Sequence, residues 1–171
     1  LEDLPETHVD TGMGLERVVS VLQNVTGNYD SDLLRDIIDF AGGLGKKKYG
    51  ADDDLDISFR VIADHARTAA FAIADGVVPT NEGRGYVLRR IMRRALRHGR
   101  ILGFEGPFFA QVADAVVQAM GKPYPELVTR RSYLKEVVTT EEKRFSETLD
   151  KGLALLEGEI TELRQQNVRV L

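Results

Sequence analysis

The chain has 171 residues, 43% of them apolar, and its 23 basic and 27 acidic side chains give a formal net charge of −4. That fits one compact soluble domain, or a small one joined to part of another. No uncharged apolar run approaches the roughly 20 residues that cross a bilayer, and no basic-then-apolar leader opens the chain, so neither a membrane span nor a membrane partner is expected. With no cysteine in the sequence, a disulfide framework and a thiolate metal site are excluded, and a reducing compartment, the cytoplasm, is expected.

The chain opens on LEDLPETHVD without an initiator methionine and closes on QQNVRVL with no stop signal for the helix before it. The expectation is therefore a segment of something longer. ETHVD, residues 6–10, is the one strand-like stretch, and a lone strand would belong to a sheet that this chain does not hold. After residue 10 the period is helical almost throughout. In DTGMGLERVVSVLQNVTGN, Leu15, Val18, Val19, Leu22 and Val25 fall at helical spacing, and Gly27 is placed to end the helix. DSDLLRDIIDFAGG repeats the pattern in short form, started by Asp30 or Ser31 and stopped by Gly42 and Gly43. LGKKKYGADDDLD reads as a loop. From Asp54 or Asp56 a helix runs to Gly76, and its many alanines suit close packing against other helices.

After the linker GVVPT, Thr80 or Asn81 can cap a helix that Gly99 should terminate. Pro107 fits the first turn of the next helix, from Phe108 to Gly121. A long helix from about Ser132 closes the chain, with Leu134, Val138, Phe145, Leu149, Leu156, Ile160 and Leu163 in heptad-like spacing and weakened by Gly152 and Gly158. No internal repeat or low-complexity segment is visible.

Residues 84–100, RGYVLRRIMRRALRHGR, carry seven arginines in this acidic chain. On a wheel of about 100° per residue, Arg89, Arg90, Arg93, Arg94, Arg97 and Arg100 share an arc of roughly 140° with Tyr86 at its middle. Val87, Leu88, Ile91, Met92 and Ala95 fall opposite, as a core face. One reading is a solvated face neutralised by ADDD at 51–54 or by EE at 141 and 142. Three features favour a nucleic acid instead. Six like charges on one arc repel unless a polyanion relieves them, arginine rather than lysine suits phosphate and stacks on bases, and TNEGRG adds a glycine turn and an amide at the helix start. RNA and DNA are not separated by these features.

VDTGMGLER, residues 9–17, reads strand end, glycine turn, helix start. Gly12 and Gly14 would let the backbone approach a ligand, and Arg17 lies in the first helical turn, where a phosphate could sit. A helix start that happens to use glycine, with Glu16 and Arg17 as plain surface charges, accounts for it equally well. His8, His65 and His98 are too scattered to argue for a metal site, and His65 reads as a packed structural histidine. Lys46, Lys47 and Lys48 read as a solvated cluster that could also touch nucleic acid.

Taken together, VDTGMGLERVVSVL and RVIADHARTAAFAIADGVVPTNEGRGYVLRRIMRRALRHG, in this order and separation, resemble the alanyl-tRNA synthetase family. The likeness covers almost the whole chain, is weakest in 42–56 and 121–135, and is most specific in 60–99. The resemblance implies a mostly all-α fold: 1–28 as the C-terminal edge of a class II catalytic domain, a strand-turn-helix carrying motif 3, and 29–171 as a helical tRNA-recognition domain ending in a long helix. It implies that Arg17 is the motif 3 arginine that contacts ATP, that Asp10 receives the α-ammonium of alanine, and that Gly12 and Gly14 line the same pocket. It makes Asn81 the reader of the G·U wobble pair in the acceptor stem of tRNA-Ala, a role that suits an amide with both donor and acceptor at a minor-groove base edge. Arg89 to Arg100 would follow the stem phosphates, and Arg84, off the arc, would hold the turn.

The resemblance further implies that the whole enzyme uses ATP with Mg2+ and attaches alanine to tRNA-Ala. Motifs 1 and 2, a second wobble-pair reader, and an editing domain with its zinc would lie outside this chain, which alone should not activate alanine. Two rivals from other classes are a non-enzymatic helical module docking its arginine face on an acidic protein and an NTP-binding protein using GMGLER by itself.

Overall fold

The computed structural model describes residue 6, residues 11–45 and residues 47–165. Among these it contains helices and no strand: α1 (Leu15–Leu22), a 3-10 turn (Asn28–Asp30), α2 (Asp32–Leu44), α3 (Asp53–Ala74), α4 (Gly83–Ile101), α5 (Phe109–Met120), α6 (Pro125–Thr129) and α7 (Arg131–Gln165). The expected strand at 6–10 lies, apart from Glu6, outside the described residues. No helix among the described residues is long and apolar enough to cross a membrane.

The centre of the molecule is α3. It packs against α2, α4, α5, α6 and α7, and its stripe of Phe59, Ile62, Ala63, Ala66, Ala69, Ala70 and Ile73 is fully buried. Four of those seven are alanines, whose small side chains let neighbouring helices approach toward the short end of the usual 8–10 Å spacing. The helix begins earlier than its apolar pattern suggests because the Asp52 carboxylate accepts from the Asp54 and Leu55 amides, satisfying two of the four unpaired N–H groups of the first turn. It ends as expected at Gly76, whose φ of 89° no other residue type adopts easily.

Three glycines read as helix stops lie inside helices instead. α2 continues through Gly42 and Gly43 to Leu44, and a Cβ on Gly42 would sit 3.6 Å from the Lys47 carbonyl. α4 continues past Gly99 to Ile101, and a Cβ on Gly99 would overlap the Phe108 ring. Gly99 thus marks a close approach, whereas Gly42 and Gly43 have room for a Cβ, and α4 stops instead at Gly103, with φ 79°. In the opposite sense, α1 ends at Leu22 rather than Gly27, because Asn24 takes the left-handed conformation at φ 53°. Of its expected apolar stripe, Val18 and Val19 are half-buried while Leu22 is 79% exposed.

The core face of α4 is also turned from the expected one. Leu88, Met92, Ala95, Leu96 and Gly99 are buried, while Val87 is 55% exposed. The stripe follows the two glycines that face neighbouring atoms, Gly85 and Gly99, because those are the points where the helix can come closest to its surroundings. On α7 only the first half packs: Leu134 and Val138 are buried, Phe145 and Leu149 half-buried, and residues 151–159 all exposed. The helix still runs unbroken through Gly152 and Gly158. The short α6 has no counterpart in the sequence reading, since five residues are too few to show a period.

One contact between α3 and α4 is titratable. His98 Nδ1 lies 3.0 Å from Ser58 Oγ, and burial, then the nearby Arg94 and Arg97, and then His65, hold the His98 pKa below its ordinary 6.5. The folded protein therefore keeps this imidazole neutral at a pH where the unfolded chain protonates it. Stability from this group is complete above about pH 6.5 and falls as pH drops through the folded value. The carboxylates of Glu16, Asp64 and Asp114, held below 4.5, 3.8 and 3.8, lose their contributions only in more acidic solution. Thermal unfolding followed by circular dichroism should give a melting temperature that declines between pH 7.5 and 5.5, and His98→Asn, which keeps an acceptor near Nδ1, should flatten that decline. An equal decline in the variant would show that His98 is not its source.

Candidate nucleic-acid interface

The turn that leads into α4 is held from three sides. The Val77 amide donates to the Ala72 carbonyl at 2.9 Å, and Thr80 Oγ1 donates to the Glu82 carbonyl at 2.8 Å. Gly83 has φ 58°, and Gly85 is buried beneath the turn, where a Cβ would overlap both Thr80 Oγ1 and the Val78 carbonyl. The GRG of the sequence thus provides one residue that bends the chain and one that lets the turn lie flat on the helix. Glu82 takes the cap position expected of Thr80 or Asn81, and its side chain makes no capping bond. Asn81 stands exposed.

Arg89 fastens this turn to the body. Its Nη1 donates to Asn81 Oδ1, its Nη2 to the Pro79 carbonyl at 3.2 Å, and its Nε to Glu141 Oε2 on α7, also at 3.2 Å. The other oxygen of Glu141 accepts from Arg93 Nε at 2.8 Å, and Glu141 itself is 3% exposed. A guanidinium carries five donors in a rigid fork, which is why one side chain can serve three acceptors at once. Its neighbour Glu142 accepts at Oε1 from the Phe108 and Phe109 amides, 2.9 and 3.0 Å away, at the start of α5.

The arginine arc is therefore divided. Arg89 and Arg93 are neutralised by Glu141, within one of the two acidic partners the sequence offered; in the other, Asp52 caps α3 instead. Arg100 pairs with the exposed Asp150 at 2.8 Å, a solvated contact worth about 0–1 kcal/mol. Arg90, Arg94 and Arg97 are exposed, with no hydrogen bond or ion pair to the protein among the described residues. The Arg90 guanidinium lies over the Tyr86 ring, 5.7 Å from its centre. Arg84 is exposed as well, and the turn it was expected to hold is held by Arg89.

The glycine-rich start forms a second, separate group; no hydrogen bond or ion pair joins it to α4 among the described residues. Asp10 lies outside the described residues. Gly12 and Gly14 are exposed, neither has positive φ, and within the chain a Cβ at either would meet no more than ordinary contact. Arg17 is exposed. Glu16 is more than a surface charge: it meets Arg67 of α3 at 2.6 Å, and a bond to its own backbone amide, then the Arg67 guanidinium, hold its carboxyl low. This pair seats α1 on the body. His65 lies 3.5 Å from Asp64, and no group of three metal-ligating side chains occurs among the described residues. Lys46 lies outside the described residues; Lys47 donates to the Ile101 carbonyl at the end of α4, where a cation complements the helix dipole. Lys48 is exposed.

The sequence offered Glu141 as a partner of the arginine arc without saying which arginines it takes, and it gave no sign of Arg67 as the partner of Glu16, because each pairing acts across about fifty positions and no local pattern carries it.

A family model described as tRNA synthetases class II (A) matches residues 1–169. The chain belongs to the alanyl-tRNA synthetase family. It is 53% identical over 163 residues to "Alanine--tRNA ligase" of Pelotomaculum thermopropionicum, covering 95% of this chain and 19% of the relative. The corresponding protein of Anaeromyxobacter dehalogenans is 55% identical over 163 residues, covering 95% and 18%, and that of Thermoanaerobacter sp. is 48% identical over 168 residues, covering 98% and 19%. The chain spans about a fifth of the length of these synthetases.

In this synthetase chain two helical glycines give opposite expectations. At Gly85 a Cβ meets backbone atoms that cannot swing away, so Gly85→Ala should destabilise by about 1–3 kcal/mol as overpacking. Gly152 faces open space, so Gly152→Ala should stabilise by about 1 kcal/mol through helix propensity alone. Urea denaturation of both variants checks this; equal effects at the two positions would contradict the packing of the turn on Gly85.

Proposed function

We propose that this chain supplies acceptor-stem recognition and the motif 3 edge of the catalytic site in an alanine–tRNA ligase, the enzyme that condenses alanine with ATP and transfers it to tRNA-Ala in the cytoplasm. The observation that carries the reading is the Asn81 amide fixed on an exposed turn at the start of a helix along which three exposed guanidiniums, those of Arg90, Arg94 and Arg97, have no hydrogen bond or ion pair among the described residues. Arg89 occupies one lone pair of Asn81 Oδ1. The amide then offers two Nδ2 hydrogens and a remaining lone pair outward, a donor-and-acceptor edge. The minor groove of A-form RNA is wide and shallow enough to receive it, and there guanine presents an amino donor beside the acceptors of both bases. In a G·U pair that amino group has no partner in its own base pair, so an amide acceptor satisfies it; in G·C it is already engaged.

Arg90, Arg94 and Arg97 recur at helical spacing over a rise of about 10 Å, matched to successive phosphates of a backbone. They would set position rather than sequence. Arg100 can join them by exchanging Asp150 for a phosphate, while Arg89 and Arg93, paired inside, contribute chiefly by holding the turn. The boundary between the catalytic edge and the recognition domain falls, in this reading, near residue 28, between α1 and α2.

The motif 3 residues suit a nucleotide. Arg17 is exposed beside Gly14, which caps α1 without a side chain, so a phosphate can reach both the guanidinium and the first-turn amides. ATP, with Mg2+, supplies the phosphoanhydride bond that is broken when alanine is activated; Arg17 would bind and orient its phosphates, and Asp10 the ammonium of alanine. Zinc belongs to an editing domain outside this chain.

Titration of the full-length enzyme with acceptor-stem duplexes carrying G·U or G·C tests this. G·U should bind more tightly, Asn81→Ala should abolish the preference, and Arg94→Ala should weaken both duplexes alike while lowering the slope of log affinity against log salt by about 0.7–0.9. Equal affinity for the two duplexes, or an acidic protein that displaces both, would favour a helical docking module.

A further inference from the structure

We propose that Glu141 of α7 is a positioning residue for base recognition: through Arg89 it sets which edge of the Asn81 amide faces the nucleic acid. This inference rests on the reading of Asn81 as the group that contacts the base. The torsion that turns an amide end over end is broad, with two nearly equivalent orientations. On an exposed turn such a side chain presents oxygen and nitrogen about equally unless something holds one of them. Here Arg89 Nη1 takes one lone pair of Oδ1, which fixes the amide plane so that the second lone pair faces outward to accept from the guanine amino group, with Nδ2 beside it.

Arg89 is itself a long side chain with several rotors, and two contacts remove its freedom. One is the Pro79 carbonyl at 3.2 Å; the other is Glu141 Oε2 at 3.2 Å. Glu141 sits on a regular helix and is 3% exposed, so it cannot follow a moving guanidinium, and it is too deeply buried to touch a nucleic acid directly. Its second oxygen is taken by Arg93 at 2.8 Å, and the Arg93 guanidinium lies 5.5 Å from the centre of the Phe145 ring. Every member of the chain Glu141, Arg89, Asn81 is thus fixed by the one before it. If the carboxylate charge is removed, Arg89 is drawn to the nearest remaining anion, a phosphate of the bound stem, and the amide is released. The consequence is specific: discrimination between base pairs falls while overall attraction to the stem is kept or increased.

The test uses the full-length enzyme and tRNA transcripts with G·U or G·C at the wobble position, comparing kcat/KM for aminoacylation with the rate of alanine activation in the absence of tRNA. Glu141→Gln should lower the G·U to G·C ratio about tenfold, within the range expected for losing one oriented base contact, and leave tRNA-independent activation unchanged. Combined with Asn81→Ala it should lower the ratio no further. A wild-type ratio in Glu141→Gln overturns the inference, as does a further fall of the same size on top of Asn81→Ala. If Asn81→Ala itself keeps the wild-type ratio, the reading of Asn81 fails and this inference with it. That result is distinct from one in which Asn81→Ala loses the ratio and Glu141→Gln does not. Should Glu141→Gln also lose alanine activation, Glu141→Asp decides: it keeps the charge but draws it back by one methylene, and an unchanged ratio in it overturns the inference.

Discussion

The close approach of helices to α3 is the constraint on which the rest of this structure depends. A helix whose buried stripe is largely alanine contributes little apolar area per residue, so it is useful only if its neighbours come near enough to bury their own larger side chains against it. Those neighbours supply them: Leu34, Ile37 and Ile38 from α2, Met92 and Leu96 from α4, Val112 and Val116 from α5. The glycine at 99 belongs to the same economy of space, letting α4 fit against the Phe108 ring.

With α3 central, the charged side chains are sorted by depth. An acidic protein carrying an arginine-rich helix would be expected to scatter counter-charges along the surface. Instead one carboxylate, Glu141, is buried between two guanidiniums, and Arg90, Arg94 and Arg97 are left in solvent. The outward charge of α4 is therefore smaller in number than the sequence suggests, and better placed. Each inward arginine also does something for the outward ones, because it fixes the helix and the turn from which they project. Pairing at the other end of the chain follows the same logic, with Glu16 and Arg67 anchoring α1 so that Arg17 remains available.

How far the sequence can be read follows from the range of each signal. Helix period over ten or more residues is local, so α2, α3, α4, α5 and α7 are legible with their approximate ends. Glycine is ambiguous locally, since the same residue ends a helix when its φ is positive and permits close packing when it is not; Gly76 is the first kind and Gly99 the second. Only the position of Phe108, in another segment, separates them. α6 is too short to show a period, and the turn of the α4 core face away from Val87 was set by contacts with Thr80 and Phe108 that a helical wheel does not contain. For the site, the motifs point to Asn81 and Arg17 through the family they resemble. What they do not contain is the division of labour among the arginines, which depends on where α7 returns.

That return gives the two adjacent glutamates a joint effect. Successive residues on a helix point about 100° apart, so Glu141 reaches the α4 guanidiniums while Glu142 reaches the first amides of α5. Together they act as a key cut in two directions on a shaft. A slip of α7 by one residue would carry Glu142 toward the arginines and leave the Phe108 and Phe109 amides facing a lysine, Lys143, so no neighbouring phase of the helix satisfies both sets of partners. A helix 35 residues long, much of it in water, is in this way indexed to the rest of the molecule at one angle, and a torque applied to its exposed half is delivered to both α4 and α5 rather than dissipated in sliding.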